Sequence, residues 1–249
     1  MARDSRRAKR PRAAPETVVG PYARIDRDRG RRVGVPEVVW AEGKTVEHLL
    51  GIVRALHADG AGAILSRPTP AQRNALGREA KSGWPLRFLA DGRVVRLEGP
   101  LGVSYRAGTV GIVAAGTSDV PLAEESRSVL EELGVRCVTA YDVGVAGLHR
   151  LLRAVRRLER QRPELYLAFA GREGALPTVL AGLVHAPVVG VPTSVGYGRG
   201  GRGHAALNAM LQSCAPIAVV NIDGAVPAAL FAAQRFARRP PPRRSRSPR

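Results

Sequence analysis

Cysteine is scarce in this 249-residue chain: only Cys137 and Cys214 occur, far apart and without metal-binding spacing. That excludes a disulfide framework and a cysteine-built metal centre, and it suits a reducing, cytoplasmic setting. No run of about eighteen apolar residues occurs, so neither a transmembrane helix nor a membrane partner is expected. The basic N-terminus leads into no apolar segment, which speaks against a secretory signal. His48, His57, His149, His185 and His204 form no HxH, HxxxH or Cys/His cluster, so a protein-held metal has weak support. Aromatic residues make up 4% of the chain, and none stands among the arginine runs to offer bases a stacking platform.

Acidic residues are outnumbered, 21 Asp and Glu against 39 Lys and Arg, giving a net charge of +18. The imbalance is concentrated at the ends. Residues 1–20 hold six basic and two acidic side chains, and residues 235–249 hold seven arginines and no acid. Both stretches have the composition of disorder and read as tails. They are either solvated termini or non-specific contacts for nucleic acid, which is expected nowhere else on the chain.

The remaining length suits one α/β domain of ordinary size and a smaller one. Residues 110–119, VGIVAAGTSD, organise the larger. An apolar run bounded by glycine is the pattern of a parallel strand buried on both faces. Ser118 or Asp119 can cap the helix that follows, and amides at a helix start attract phosphate or carboxylate. From there strands and helices alternate. The strands are 110–116, 135–141, 165–171, 187–193 and 216–223, and the helices 121–133, 145–160, 174–185, 204–214 and 226–237. Five such units predict a parallel sheet with right-handed crossovers and helices on both faces.

Upstream, PEVVW reads as a strand, and apolar spacing after Thr45 predicts a helix that ends near Asp59-Gly60. A strand over 60–67, a helix over 68–81 and a hairpin over 85–97 turning at Asp91-Gly92 complete a small α+β unit. Residues 98–108, rich in glycine, read as the linker.

Ligands of such sheets bind beyond the carboxyl ends of the strands. Those ends offer Gly116, Thr117, Ser118 and Asp119, then Asp142, then Gly171 and Glu173, then Thr193, Ser194 and Gly196, then Asn221 and Asp223. Small, hydroxylic and acidic residues along one sheet edge point to a pocket for a polar, phosphate-bearing ligand. Cys214 falls by topology at the opposite end, and both cysteines read from their surroundings as buried and structural. Residues 198–203, GRGGRG, spell a dinucleotide fingerprint with Asp223 beyond it, but PTSVGY separates them from the strand.

The strings GTSDVPLAEES, YDVGVAGLHRLL, AGREGALPTVLAGL, VPTSVGYG and AMLQSCA, followed by VVNID, resemble the LarB family. These are the carboxylase-type proteins that make the nickel-pincer cofactor of lactate racemase, and they are similar to aminoimidazole ribonucleotide (AIR) carboxylase. GVPEVVWAEGKT and SRPTP match their smaller domain, so the resemblance covers about residues 23–234. It implies a parallel-sheet, three-layer α/β domain, flavodoxin-like and AIR carboxylase-like, over 107–234, preceded by a small α+β domain over 21–106.

The resemblance also implies a reaction, in which nicotinic acid adenine dinucleotide takes up CO2 on its pyridinium ring and loses AMP, leaving a pyridinium-3,5-biscarboxylic acid mononucleotide. In that reading Cys214 adds to the ring, Ser118 and Asp119 clamp a carboxylate or CO2, and Glu173 transfers protons. The Gly116 turn, Thr117, Asp142, Gly171, Thr193, Ser194 and Gly196 hold the substrate. Magnesium serves the hydrolysis, no organic cofactor is needed, and a homo-octamer or other homo-oligomer brings Cys214 to a neighbouring subunit's site. Arg172 stands where the family usually has an apolar residue, and NIDGAVPAA replaces NIDNGFGAA, with Gly224 at the altered position. The alternatives are an AIR carboxylase-type enzyme of purine biosynthesis and an NAD-binding oxidoreductase using GRGGRG. Against the first, the purine enzyme's Ser-Ala-His-Arg-Thr-Pro segment is replaced by Ala140-Tyr141-Asp142-Val143-Gly144. Its second histidine loop reads Arg172-Glu173-Gly174-Ala175-Leu176-Pro177.

Overall fold

The computed structural model describes residues 16–238, so the basic stretches 1–15 and 239–249 lie outside the described residues. The chain opens with a hairpin, β1 (Glu16–Val19) paired antiparallel to β2 (Ala23–Asp26). This corrects the tail boundary at residue 20. Val19 and Ile25 are buried in one core with Leu49, Ile52 and Val53, which outweighs the tail-like composition around them.

A short helix α1 (Arg29–Val33) leads to β3 (Val38–Trp40), α2 (Val46–Ala58), β4 (Ala63–Ser66), α3 (Pro70–Lys81), β5 (Leu86–Leu89) and β6 (Val94–Leu97). The four strands β3 to β6 form a mixed sheet in the order β3-β4-β6-β5. The helix starts are locally encoded. The Thr45 hydroxyl accepts the His48 N–H at 3.1 Å, and Thr69 and Gln72 form a reciprocal capping box. The buried Gln72 amide also donates to the carbonyls of Ala41 and Lys44, which ties α3 to the turn before α2.

The larger unit alternates strictly: β7 (Thr109–Ala114), α4 (Val120–Glu132), β8 (Arg136–Ala140), α5 (Leu148–Glu159), β9 (Leu165–Ala170), α6 (Ala175–Ala181), β10 (Val188–Pro192), α7 (His204–Leu211), β11 (Ile217–Val219) and α8 (Ala225–Gln234). All pairings are parallel, in the order β11-β10-β9-β7-β8. This is the flavodoxin-like doubly wound order, and its switch point lies between β7 and β9. One hydrophobic core joins the sheet to α4 and α8, and the other joins it to α5, α6 and α7, giving three layers. Gly111 is required within β7, because a Cβ there would stand 2.3 Å from the ring of the fully buried Tyr166.

The second tail boundary also moves. Phe236 is fully buried over Gly108, its carbonyl accepts the Arg106 N–H at 2.8 Å, and Ala237 bridges to Tyr105. An aromatic side chain flanked by arginines reads as tail in the sequence, yet it closes the core under α8.

The small domain packs on the α4/α8 face, where Val35, Ile64 and Val94 join that core. At the centre of the contact lies Glu125 of α4, with no solvent exposure. It accepts from the Ser66 hydroxyl at 2.8 Å, from Arg67 Nε at 3.0 Å and from Arg93 at 3.3 Å. A buried carboxylate persists only when such donors surround it.

Candidate active site

A cavity of about 620 Å³ opens at the carboxyl ends of β7, β8 and β9, over the switch point. Its floor is the turn after β7, residues 115–119, which runs through a short 3₁₀ segment, Thr117–Asp119, into α4. Thr117 and Ser118 line the cavity, while Asp119 lies beneath them at 5% exposure. The Asp119 carboxylate does not cap α4 as the sequence suggested. It reaches back instead: Oδ2 accepts the Gly116 N–H at 2.9 Å, and Oδ1 accepts the Thr193 hydroxyl at 2.6 Å. Burial raises its pKa, the two hydrogen bonds counter in part, and the neighbouring Glu173 charge adds to the rise.

The opposite wall comes from the ends of β8 and β9. Asp142 sits in the left-handed region (φ 55°) and is bonded to Arg150 of α5 at 2.6 Å, both residues lining the cavity. Gly171 is packed so closely that a Cβ would stand 2.2 Å from Thr193 Oγ1 and from the Val195 carbonyl. Glu173 follows, exposed, and Arg172 stacks over the Tyr197 ring at 4.7 Å. Val195, Gly196 and Tyr197, after β10, close the remaining side.

Comparison with known proteins gives this arrangement a family. Residues 109–246 match AIR carboxylase, and residues 16–98 match the LarB/PurE-like N-terminal domain. The uncharacterized protein MJ0165 of Methanocaldococcus jannaschii is 37% identical over 212 residues, 84% of this chain and 82% of that protein. This chain belongs to the AIR carboxylase family. Other relatives include the N5-carboxyaminoimidazole ribonucleotide mutase of Pyrococcus abyssi, 36% identical over 129 residues, 49% of this chain and 70% of that one. The crystal structure of a PurE2 variant from Treponema denticola aligns with 53% of this chain and 80% of its own at 26% identity, with a TM-score of 0.44.

Within this family member, Gly116, Thr117, Ser118, Asp119, Asp142, Gly171, Glu173 and Gly196 all line one cavity. Thr193 and Ser194 stand behind it with other partners. The Thr193 hydroxyl is committed to Asp119, and the Ser194 N–H donates to Asp223 Oδ1 at 2.7 Å. The Gly116 N–H is likewise taken by Asp119, so the amides expected to hold phosphate are occupied from within the chain.

Cys214 is not among the lining residues, and it is exposed rather than buried, following α7 at the amino end of the sheet. Cys137, inside β8, is largely enclosed, and burial pushes its thiol pKa up to about 12. Residues 193–197 separate β10 from Gly198, so GRGGRG does not sit at a strand end as a dinucleotide fingerprint must.

Sequence reasoning missed Arg150 as a cavity residue. An arginine on the amphipathic helix α5 is indistinguishable from its neighbours Arg153 and Arg156 until the tertiary fold turns it toward Asp142. The only available signal was its place shortly after the β8 end. Among the described residues, no three His, Cys, Asp or Glu side chains converge on a point that would hold a metal ion.

Proposed function

We propose that this protein carboxylates the pyridinium ring of nicotinic acid adenine dinucleotide and hydrolyses its phosphoanhydride, releasing AMP and a pyridinium-3,5-biscarboxylic acid mononucleotide for a nickel-pincer cofactor. One observation supports this above all. An AIR carboxylase-family sheet carries a LarB/PurE-like N-terminal domain, and Ser118, Asp119 and Glu173 line the same cavity.

The chemistry follows from the electron demand of the ring. A pyridinium carbon is too electron-poor to attack CO2. Addition of the Cys214 thiolate to the adjacent carbon turns the ring into an enamine-like nucleophile, whose free carbon forms the new bond to CO2. Glu173 takes the proton from that carbon, and expulsion of the thiolate restores aromaticity. Ser118 donates to the incoming carboxylate, and Asp119, whose two oxygens accept from the Gly116 N–H and the Thr193 hydroxyl, fixes the turn that presents Ser118. Arg150 and Arg172 supply positive charge for a carboxylate or phosphate, and the exposed Tyr197 gives a planar ring a surface to stack on.

Cys214 cannot serve the cavity of its own chain, so the proposal includes a homo-oligomer in which the amino end of one sheet meets the carboxyl end of another. Magnesium for the hydrolysis would be held chiefly through the substrate's phosphates rather than in a cage built by the protein. Asp119 and Asp142 are already engaged, and among the described residues no third ligand joins them.

None of the chain's five histidines lines the cavity, which argues against a histidine-dependent purine reaction. No helix among the described residues is long and apolar enough to cross a membrane. The setting we propose is the cytoplasm, where a thiol such as that of Cys214 stays reduced. The test is mass spectrometry after incubation with nicotinic acid adenine dinucleotide, bicarbonate and magnesium. A gain of one carboxyl group with release of AMP is expected. Neither product from an assembled protein would falsify the proposal.

A further inference from the structure

We infer that Arg67 is a positioning residue through which the small domain holds one wall of the cavity, residues 195–197, in place. The inference takes that cavity as the substrate site, as proposed above. Arg67 follows β4 and adopts a left-handed backbone (φ 53°), and Asp223, at the far edge of the large sheet, does the same (φ 58°). Residues with side chains rarely adopt this conformation without being held there. The two strained residues meet: a terminal Arg67 nitrogen donates to the Asp223 carbonyl across the domain boundary.

Arg67 is held at three further points. Its Nε contacts both oxygens of the fully buried Glu125, at 3.0 and 3.2 Å. Its guanidinium lies 4.8 Å over the Trp40 ring, and its backbone N–H donates to the Arg93 carbonyl at 2.7 Å. Only a planar fork serves a carboxylate and a separate carbonyl at once, so lysine cannot replace it fully.

Asp223 passes the constraint on. Its Oδ1 accepts the Ser194 N–H at 2.7 Å, and its own N–H donates to the Pro192 carbonyl at 2.8 Å, which brackets the exit of β10. The residues immediately after this bracket, Val195, Gly196 and Tyr197, are the cavity wall. Without Arg67, Asp223 is free to leave its left-handed conformation, the Ser194 amide loses its acceptor, and the wall opens.

Hydrogen exchange measured by mass spectrometry on the full chain, without substrate, tests this directly. Arg67→Ala should raise exchange in peptides covering 193–198 by about tenfold, the loss of one charge-assisted hydrogen bond, with β8 and α5 unchanged. Arg67→Lys should fall between that variant and the parent. Asp223→Ala should loosen the same peptides, and the double variant no further than either single one. With the dinucleotide, Arg67→Ala should raise KM about tenfold while kcat stays within about twofold, the signature of a disordered binding wall.

Unchanged exchange over 193–198 in folded Arg67→Ala overturns the inference, as does an even rise across both domains or an additive double variant. If Arg67→Ala does not fold, Asp223→Ala, which leaves the Arg67 to Glu125 contact intact, decides by the same peptides. Because exchange is read without turnover, a chain that carboxylates nothing still reports on the role of Arg67.

Discussion

The two ends of the five-stranded sheet are built from different kinds of residues. At the carboxyl end, Gly116, Ser118, Asp119, Asp142, Gly171 and Glu173 crowd around one cavity, and several are bonded to one another or to its other walls. At the amino end stands Cys214, exposed and apart from that cavity. A parallel sheet makes this division unavoidable. Every helix returns the chain to the amino end before the next strand, so a residue just after α7 cannot share a cavity with residues just after β7. In the proposed reaction, each chain thus presents acid, base and binding groups at one end of its sheet and a nucleophile at the other.

The largest effect is expected of Cys214→Ala. Carboxylation should fall by on the order of 10³-fold or more with the melting temperature preserved, since an exposed thiol contributes little packing. Glu173→Gln should reduce turnover by roughly 10²-fold or more, the usual worth of a positioned general base. Mixing these two inactive variants under subunit exchange should restore part of the activity, because some interfaces then pair an intact Glu173 with an intact Cys214. If no activity returns although subunits exchange, the two ends do not cooperate across chains.

Smaller effects probe the carboxyl end alone. Gly171→Ala should destabilise the fold by about 1–3 kcal/mol in chemical denaturation, since its Cβ meets Thr193 and Val195 in a packed loop. Asp119 binds its proton more tightly folded than unfolded. The native state therefore holds more protons than the unfolded chain between the ordinary carboxylate range and the raised value, and stability falls as pH climbs through that window. Asp119→Asn should flatten the fall by up to about 1.4 kcal/mol per pH unit, measured by thermal melts across pH. Iodoacetamide should label Cys214 readily and leave Cys137 untouched, since burial keeps the latter's thiol protonated at neutral pH.

Much of the larger domain was legible because its strands are continuous apolar runs ended by small residues, a pattern that neither loops nor surface helices share. The five strands occur in the expected order, within a few residues of the expected ends, and with them comes most of the cavity. Other features escaped for identifiable reasons. The β1 strand is four residues long and abuts a basic stretch, so composition outweighed its alternation. Phe236 lies between Arg235 and Arg238, and only the space over Gly108 reveals that it is core. Thr193 and Ser194 carry the right chemistry for phosphate, but partners distant in sequence, Asp119 and Asp223, claim them first. Burial was misjudged at Cys214 because β11, the strand it precedes, lies at the edge of the sheet, and an edge position is not written in local hydropathy.

Glu125 carries a consequence for how the molecule comes apart. Its partners, Ser66, Arg67 and Arg93, all belong to the small domain, while the carboxylate itself belongs to α4. Neither lobe melts without abandoning an ionised group or its counter-charges at a surface shaped to be dry, and that penalty falls on any half-unfolded state. The two lobes are therefore expected to unfold in a single cooperative transition, and a chain cut in the 98–108 linker would inherit a large lobe with an unpartnered buried carboxylate on its back.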